Sequence, residues 1–181
     1  MTETIIGSPS RVFLMGFMGS GKSTVGRKLA ARLGYDFYDL DHFIEETVGA
    51  SIADIFSFGG EETFRGAEEE ALRFLGAKEN VLISLGGGTP CYGNNMDIIE
   101  ELGTSIYLNV PFSILIGRLR RNRVKRPLIA EMSEEELDAF VSKSLDDREP
   151  IYKRATIDFK YMGEHLSQIV AALELEVKKA G

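Results

Sequence analysis

Cys91 is the only cysteine in this 181-residue chain, so no disulfide can form within it. The fold must then rest on burial, and a reducing setting is expected. Histidine is nearly as scarce. His42 and His165 are the only two, and neither has metal-ligand spacing, which argues against a histidine-built metal site. Long apolar runs are missing, and none approaches the roughly 20 residues that would span a bilayer. Residues 1–10 lack the basic and apolar regions of a secretion signal. Positive charge is in deficit, with 21 Lys+Arg against 28 Asp+Glu and a net charge of −7. Such a balance does not supply the general basic face that nucleic acid requires. The expectation is a cytoplasmic protein that engages neither membrane nor nucleic acid.

What is present suffices for a packed domain. Hydrophobic residues make up 44% of the chain and charged residues 27%, which excludes wholesale disorder. Short apolar runs at residues 11–15, 37–40, 81–85, 105–110 and 156–159 read as strands. Helical spacing appears between them, at residues 22–33, 41–48, 52–57, 61–75 and 95–102, and Pro111 can open a further helix with Ile114, Leu115 and Leu119 on its apolar face. Ser133, with Glu136 three residues on, starts another helix in a capping-box pattern. A terminal amphipathic helix at residues 163–179 turns Leu166, Ile169, Val170 and Leu173 to the core. Strands alternating with helices predict an α/β fold of three layers, a five-stranded parallel sheet covered on both faces. Residues 1–181 read as one domain. Ligands in such sheets bind beyond the carboxyl ends of the strands, where the glycine-rich segments fall.

The first of those segments runs Gly16-Phe17-Met18-Gly19-Ser20-Gly21-Lys22-Ser23. It matches the phosphate-loop pattern at every fixed position and lies between a strand and a helix, as the mechanics demand. Glycines let successive N–H groups turn inward on phosphate oxygens, and the helix N-terminus adds its positive end. Lys22 would reach the β- and γ-phosphates and the Ser23 hydroxyl would ligate magnesium, with Gly19, Ser20, Gly21 and Thr24 completing the ATP site. The loop alone does not separate a kinase from a nucleotide-gated switch. The strand at 81–85 runs into Gly86, leaving no acid at the usual second magnesium position, so Asp39 and Asp41 are the replacements. On an extended strand they would point the same way. One would hold magnesium and the other would meet a substrate hydroxyl. Asp41 could instead cap a helix.

The motif series is more specific than the loop. GFMGSGKSTVGRKLA is followed by DLD, SIADIF, GEETFRGAEEE, LGGG, KRPLI and DDREPIY. In order and spacing it resembles the shikimate kinases, over residues 11–152. The resemblance implies a P-loop kinase fold like that of the nucleoside monophosphate kinases. It also implies transfer of the γ-phosphoryl group of ATP to the 3-hydroxyl of shikimate, with magnesium. By the same resemblance Asp39 would assist the metal through water, and Asp41 would bind the reacting hydroxyl and accept its proton. Arg65 and Arg148 would clamp the shikimate carboxylate, a task suited to a guanidinium fork. Gly86, Gly87 and Gly88 would admit the ring, Glu68 would orient Arg65, and Phe56 and Phe64 would be apolar walls. Read without the family pattern, the two arginines are ordinary surface ion pairs.

Arg118, Arg120, Arg121, Arg123, Lys125 and Arg126 crowd into nine residues. Without interleaved aromatics this is a poor nucleic-acid patch. It reads better as a mobile lid over residues 120–132, too basic and broken for core, whose arginine stabilises phosphoryl charge and excludes water. The resemblance assigns Arg126 to the ATP phosphates and Arg118 to the adenine, leaving the other basic residues solvated. Cys91 reads as a small packed residue. A monomer is expected. A gluconate kinase of the same fold remains open, as does a nucleotide-sensing protein without turnover.

Overall fold

The computed structural model describes residues 9–163 and 166–180. Most of the segment read for a secretion signal, residues 1–8, and His165 lie outside the described residues.

Five strands form one sheet: β1 (Arg11–Met15), β2 (Asp36–Asp39), β3 (Val81–Ser84), β4 (Thr104–Asn109) and β5 (Ile157–Lys160). The order is β2-β3-β1-β4-β5, and every pairing is parallel. Seven α-helices are seen among the described residues: α1 (Lys22–Leu33), α2 (Leu40–Val48), α3 (Ile52–Gly76), α4 (Asn95–Leu102), α5 (Phe112–Arg121), α6 (Glu134–Tyr152) and α7 (Leu166–Ala180).

Strand alternation divides the core into two layers. Val12 and Leu14 of β1 pack with Val25, Leu29 and Leu33 of α1 and Ile169, Val170 and Leu173 of α7. Phe13 and Met15 face the other way, onto Leu72 and Leu75 of α3, Ile99 of α4, Leu119 of α5 and Val141 of α6. This is the three-layer α/β arrangement expected from the pattern. The Ser133 capping box is present in full at the start of α6.

Three local expectations are revised. The stretches at 52–57 and 61–75 are joined into α3, but Gly60 breaks it with φ 73° and ψ −178°. The second strand stops at Asp39, and Asp41 lies in the first turn of α2 rather than on an extended segment. The segment at 120–132 is not unstructured. It begins with the end of α5 and continues through 3-10 turns at Arg123–Lys125 and Pro127–Ile129. Ile129 within it is fully buried in the core, so an apolar anchor holds this basic stretch down. Two of its cations are partnered. Arg120 pairs with Asp138 at 2.8 Å and Arg123 donates to the Met132 carbonyl at 2.7 Å.

The register fixes what meets at the carboxyl edge. Asp39 at the end of β2 is level with Ser84 at the end of β3, which is level with Leu14 near the end of β1. The acidic pair, the glycine turn and the phosphate loop therefore leave the sheet side by side, with the glycine turn in the middle.

Candidate active site

A cleft of about 410 Å³ opens at this edge. Its walls come from the phosphate loop and the start of α1 (Gly19, Gly21, Lys22, Ser23, Thr24), from Asp39 and Asp41, from Gly86 and Gly87, and from Arg118 and Arg126.

The loop takes its shape from backbone conformations that only glycine adopts readily. Gly19 has φ 81° and Gly21, the N-cap of α1, has φ 96°. Lys22 folds back so that Nζ donates to the carbonyls of Gly16 at 2.8 Å and Phe17 at 3.1 Å. Burial lowers its ammonium to about 8, against the pull of Asp41 and Asp39. Ser20 does not reach the cleft. It is fully buried, and its Oγ has no hydrogen-bond partner among the described residues. It is wedged beside Gly16, where an ideal Cβ would lie 3.1 Å from that oxygen. The Ser20 backbone N–H bonds to the Phe17 carbonyl and helps close the turn.

Ser23 donates its hydroxyl to Asp39 at 2.5 Å. Two hard oxygen donors thus stand together beside the phosphate loop. No group of three or more His, Cys, Asp or Glu side chains suited to a metal occurs among the described residues. The pair fits magnesium, which keeps several waters and shares its remaining positions with substrate phosphates. Asp41 projects into the same cleft from α2. Burial pushes its carboxyl up to about 6, with repulsion from Asp39 and Glu68 adding to the effect and Lys22 opposing it.

The glycine turn, residues 86–88, meets a different functional side chain at each position. An ideal Cβ on Gly86 would lie 2.8 Å from Asp41 Oδ1, one on Gly87 3.5 Å from Arg148 Nη1, and one on Gly88 3.2 Å from Arg65 Nη1. Space is what these glycines provide. Arg148 stands at the middle of the turn and Arg65 at its far end, and neither is among the cleft walls named above. Arg65 bonds Glu68 at 2.6 Å and Glu61 at 3.2 Å, and its guanidinium lies 5.4 Å over Phe64 and 5.0 Å over Tyr92. Glu68 is only 1% exposed, unlike an acid in a surface ion pair. Arg148 has no carboxylate partner among the described residues and lies 5.5 Å over the Phe17 ring. Phe64 is buried, and its ring centroid lies 4.7 Å from that of Phe56 in a tilted contact. Phe64 backs the Arg65 guanidinium, and neither ring lines the cleft at the phosphate loop.

Arg118 lies against the phosphate loop at the cleft wall, donating to the carbonyls of Gly19 at 3.2 Å and Ser20 at 3.0 Å. Its guanidinium lies 6.0 Å from the Tyr161 ring. Arg126 reaches the cleft from between the 3-10 turns. Cys91 packs against the core beside both Arg65 and Arg148, and burial pushes its thiol up. His42 pairs with Glu46 at the surface.

Sequence reasoning missed Thr89, Tyr92, Asn95 and Tyr152. Thr89 donates to Glu68 and Tyr152 to the Gly87 carbonyl, each at 2.5 Å. Tyr152 lay within the DDREPIY motif, the one available signal. Thr89 had none beyond following the glycines.

The site has the parts a phosphotransferase needs: anion-binding loop, metal-suited oxygens, a carboxylate of raised pKa and a separate cationic end. The family model for shikimate kinase matches residues 18–176. A shikimate kinase of Parabacteroides distasonis is 44% identical over 149 residues, covering 82% of this chain and 86% of that one. The crystal structure of shikimate kinase from Bacteroides thetaiotaomicron superposes with a TM-score of 0.86 at 34% identity, covering 94% of this chain and 99% of the other. That of the Acinetobacter baumannii enzyme in complex with shikimate gives 0.78 at 31% identity, over 94% and 93%. On these matches, the chain belongs to the shikimate kinase family.

Proposed function

We propose that this protein transfers the γ-phosphoryl group of ATP to the 3-hydroxyl of shikimate. The observation that carries the reading is the glycine turn. It meets Asp41 at Gly86, the Arg148 guanidinium at Gly87 and the Arg65 guanidinium at Gly88, so a base and two forks follow one another along it. An acceptor that lies along the turn and bears a carboxylate and a hydroxyl suits that spacing of a base and two forks.

In this reading the N–H groups of the phosphate loop hold the ATP phosphates, with Lys22 on the β- and γ-phosphates. Asp41 takes the proton of the acceptor hydroxyl as its oxygen bonds to the γ-phosphorus and the bond to the β-phosphate oxygen breaks. A carboxyl near 6 is mostly ionised at neutral pH yet basic enough to accept that proton. Ser23 and Asp39 would hold magnesium, which would supply charge neutralisation on the phosphates. Arg126, already at the cleft wall, adds positive charge at the phosphates and helps to exclude water. Arg118 braces the loop at the cleft wall. Glu68 keeps Arg65 aimed. The protein contributes position and charge rather than covalent chemistry.

We also place the enzyme in the cytoplasm as a monomer of one domain, with no nucleic-acid or membrane partner. No helix among the described residues is long and apolar enough to cross a membrane. The test is ADP formation by the purified protein with ATP and magnesium, with and without shikimate, with gluconate as control acceptor. Shikimate-dependent turnover supports the reading. ATP binding without it overturns the choice of acceptor, and turnover with gluconate alone substitutes that rival.

A further inference from the structure

Two buried hydroxyls beside the arginines have no part in the mechanism above. Thr89 is fully buried and donates to Glu68 Oε1 at 2.5 Å, while Glu68 Oε2 accepts from Arg65 Nη1 at 2.6 Å. The Thr89 carbonyl is itself held by Asn95 Nδ2 at 2.9 Å, from a side chain 2% exposed. Tyr152 has no exposed surface either. Its hydroxyl donates to the Gly87 carbonyl at 2.5 Å, and the Arg148 guanidinium lies beside that hydroxyl. The Tyr152 ring is fixed against Tyr107, with centroids 5.0 Å apart. Each clamp arginine is thereby tied through one hydroxyl to the same short turn.

We propose that Thr89 and Tyr152 are positioning residues for the acceptor. They lock the glycine turn between Arg65 and Arg148 and so set where the acceptor carboxylate sits. The inference rests on the reading of this site as shikimate-binding. Its physical basis is the cost of order. An arginine side chain loses about 2 kcal/mol of rotamer freedom when it is held in one position. A guanidinium fixed before the acceptor arrives does not lose it at binding. Glu68 is the pivot. With Thr89 on one oxygen, only the other faces Arg65. Without that donor both oxygens turn to the guanidinium and draw its fork away from the acceptor. On the other side, loss of the Tyr152 hydroxyl frees the Gly87 carbonyl and removes the stop against which Arg148 rests.

The experiment compares the full chain with T89V, T89S and Y152F by steady-state kinetics at saturating ATP and magnesium, using shikimate and its methyl ester. T89V and Y152F should each raise the KM for shikimate roughly tenfold, as expected for loss of one hydrogen bond in a charged network, with the KM for ATP unchanged. T89S, which keeps the hydroxyl, should restore the normal value. The penalty should shrink with the methyl ester, which has no charged carboxylate to clamp. An unchanged KM for shikimate in both T89V and Y152F overturns the inference. So does an equal rise in both KM values with lowered melting temperature, the mark of a merely structural role. Absence of shikimate-dependent turnover in the unaltered protein overturns the proposed function first, and this inference with it.

Discussion

The Asp41 carboxylate overhangs the α-carbon of Gly86, so closely that a methyl group there would lie 2.8 Å from Oδ1. The same methyl would lie 2.8 Å from Thr89 Oγ1, so it cannot slip aside. Gly86→Ala should displace the base by a few tenths of an ångström or more. We expect kcat to fall on the order of 10²-fold with ATP affinity retained, since small misplacements of reacting groups carry such losses. Coupled ADP assays and nucleotide titration check it, and normal turnover would show that the contact is not a constraint.

Asp41 should work against the stability of the free protein. Its carboxyl is raised from 3.8 to about 6, chiefly by burial, so the fold favours the protonated form. That contribution is fully present below pH 3.8 and is lost as the pH rises through about 6. In the metal-free, nucleotide-free protein, Asp41→Asn should therefore raise the melting temperature at pH 7.5. At pH 4 the gain should vanish. The ceiling is about 3 kcal/mol, from two pK units at 1.36 kcal/mol each, and partial solvent access reduces it. The same variant should lose turnover, and kcat/KM of the unaltered enzyme should fall on the acid side of pH 6. Equal melting curves at pH 7.5 would contradict the first expectation, and a flat acid limb the second.

Arg148→Lys keeps the charge and removes the fork. The KM for shikimate should rise, on the order of tenfold or more, with little change in the KM for ATP. A change confined to ATP would remove Arg148 from the acceptor side.

Arg118 satisfies two phosphate-loop carbonyls. Arg118→Met should loosen the loop and raise the KM for ATP several-fold, about 1 kcal/mol for hydrogen bonds of this kind, while the KM for shikimate holds. Calorimetric titration with ADP and magnesium measures the same loss without turnover.

The sheet, both core layers and the phosphate loop were legible because they depend on local patterns: strand alternation, helical spacing and glycine placement. The break at Gly60 was legible as well, since the paired glycines divide two helical stretches. Asp41 was read both as the start of a helix and as an extension of the strand direction of Asp39, because four residues of β2 are too few to show where the extended conformation stops. Thr89 and Tyr152 stayed hidden for another reason. Their partners are 21 and 65 residues away, and only the completed fold brings them near. Ile129 was concealed by the basic residues around it, whose charge dominated the composition of the segment.

The interruption at Gly60 separates the portion of α3 bearing Phe56 and the exposed Phe58 from the portion bearing Arg65 and Glu68. Helical hydrogen bonding does not fix the two portions relative to one another through such a break, and the Phe56–Phe64 ring contact couples them instead. Under the proposed function, a change at residues 52–59 made to alter acceptor scope therefore reaches Arg65 through those two rings, and redesign there has to retain that contact.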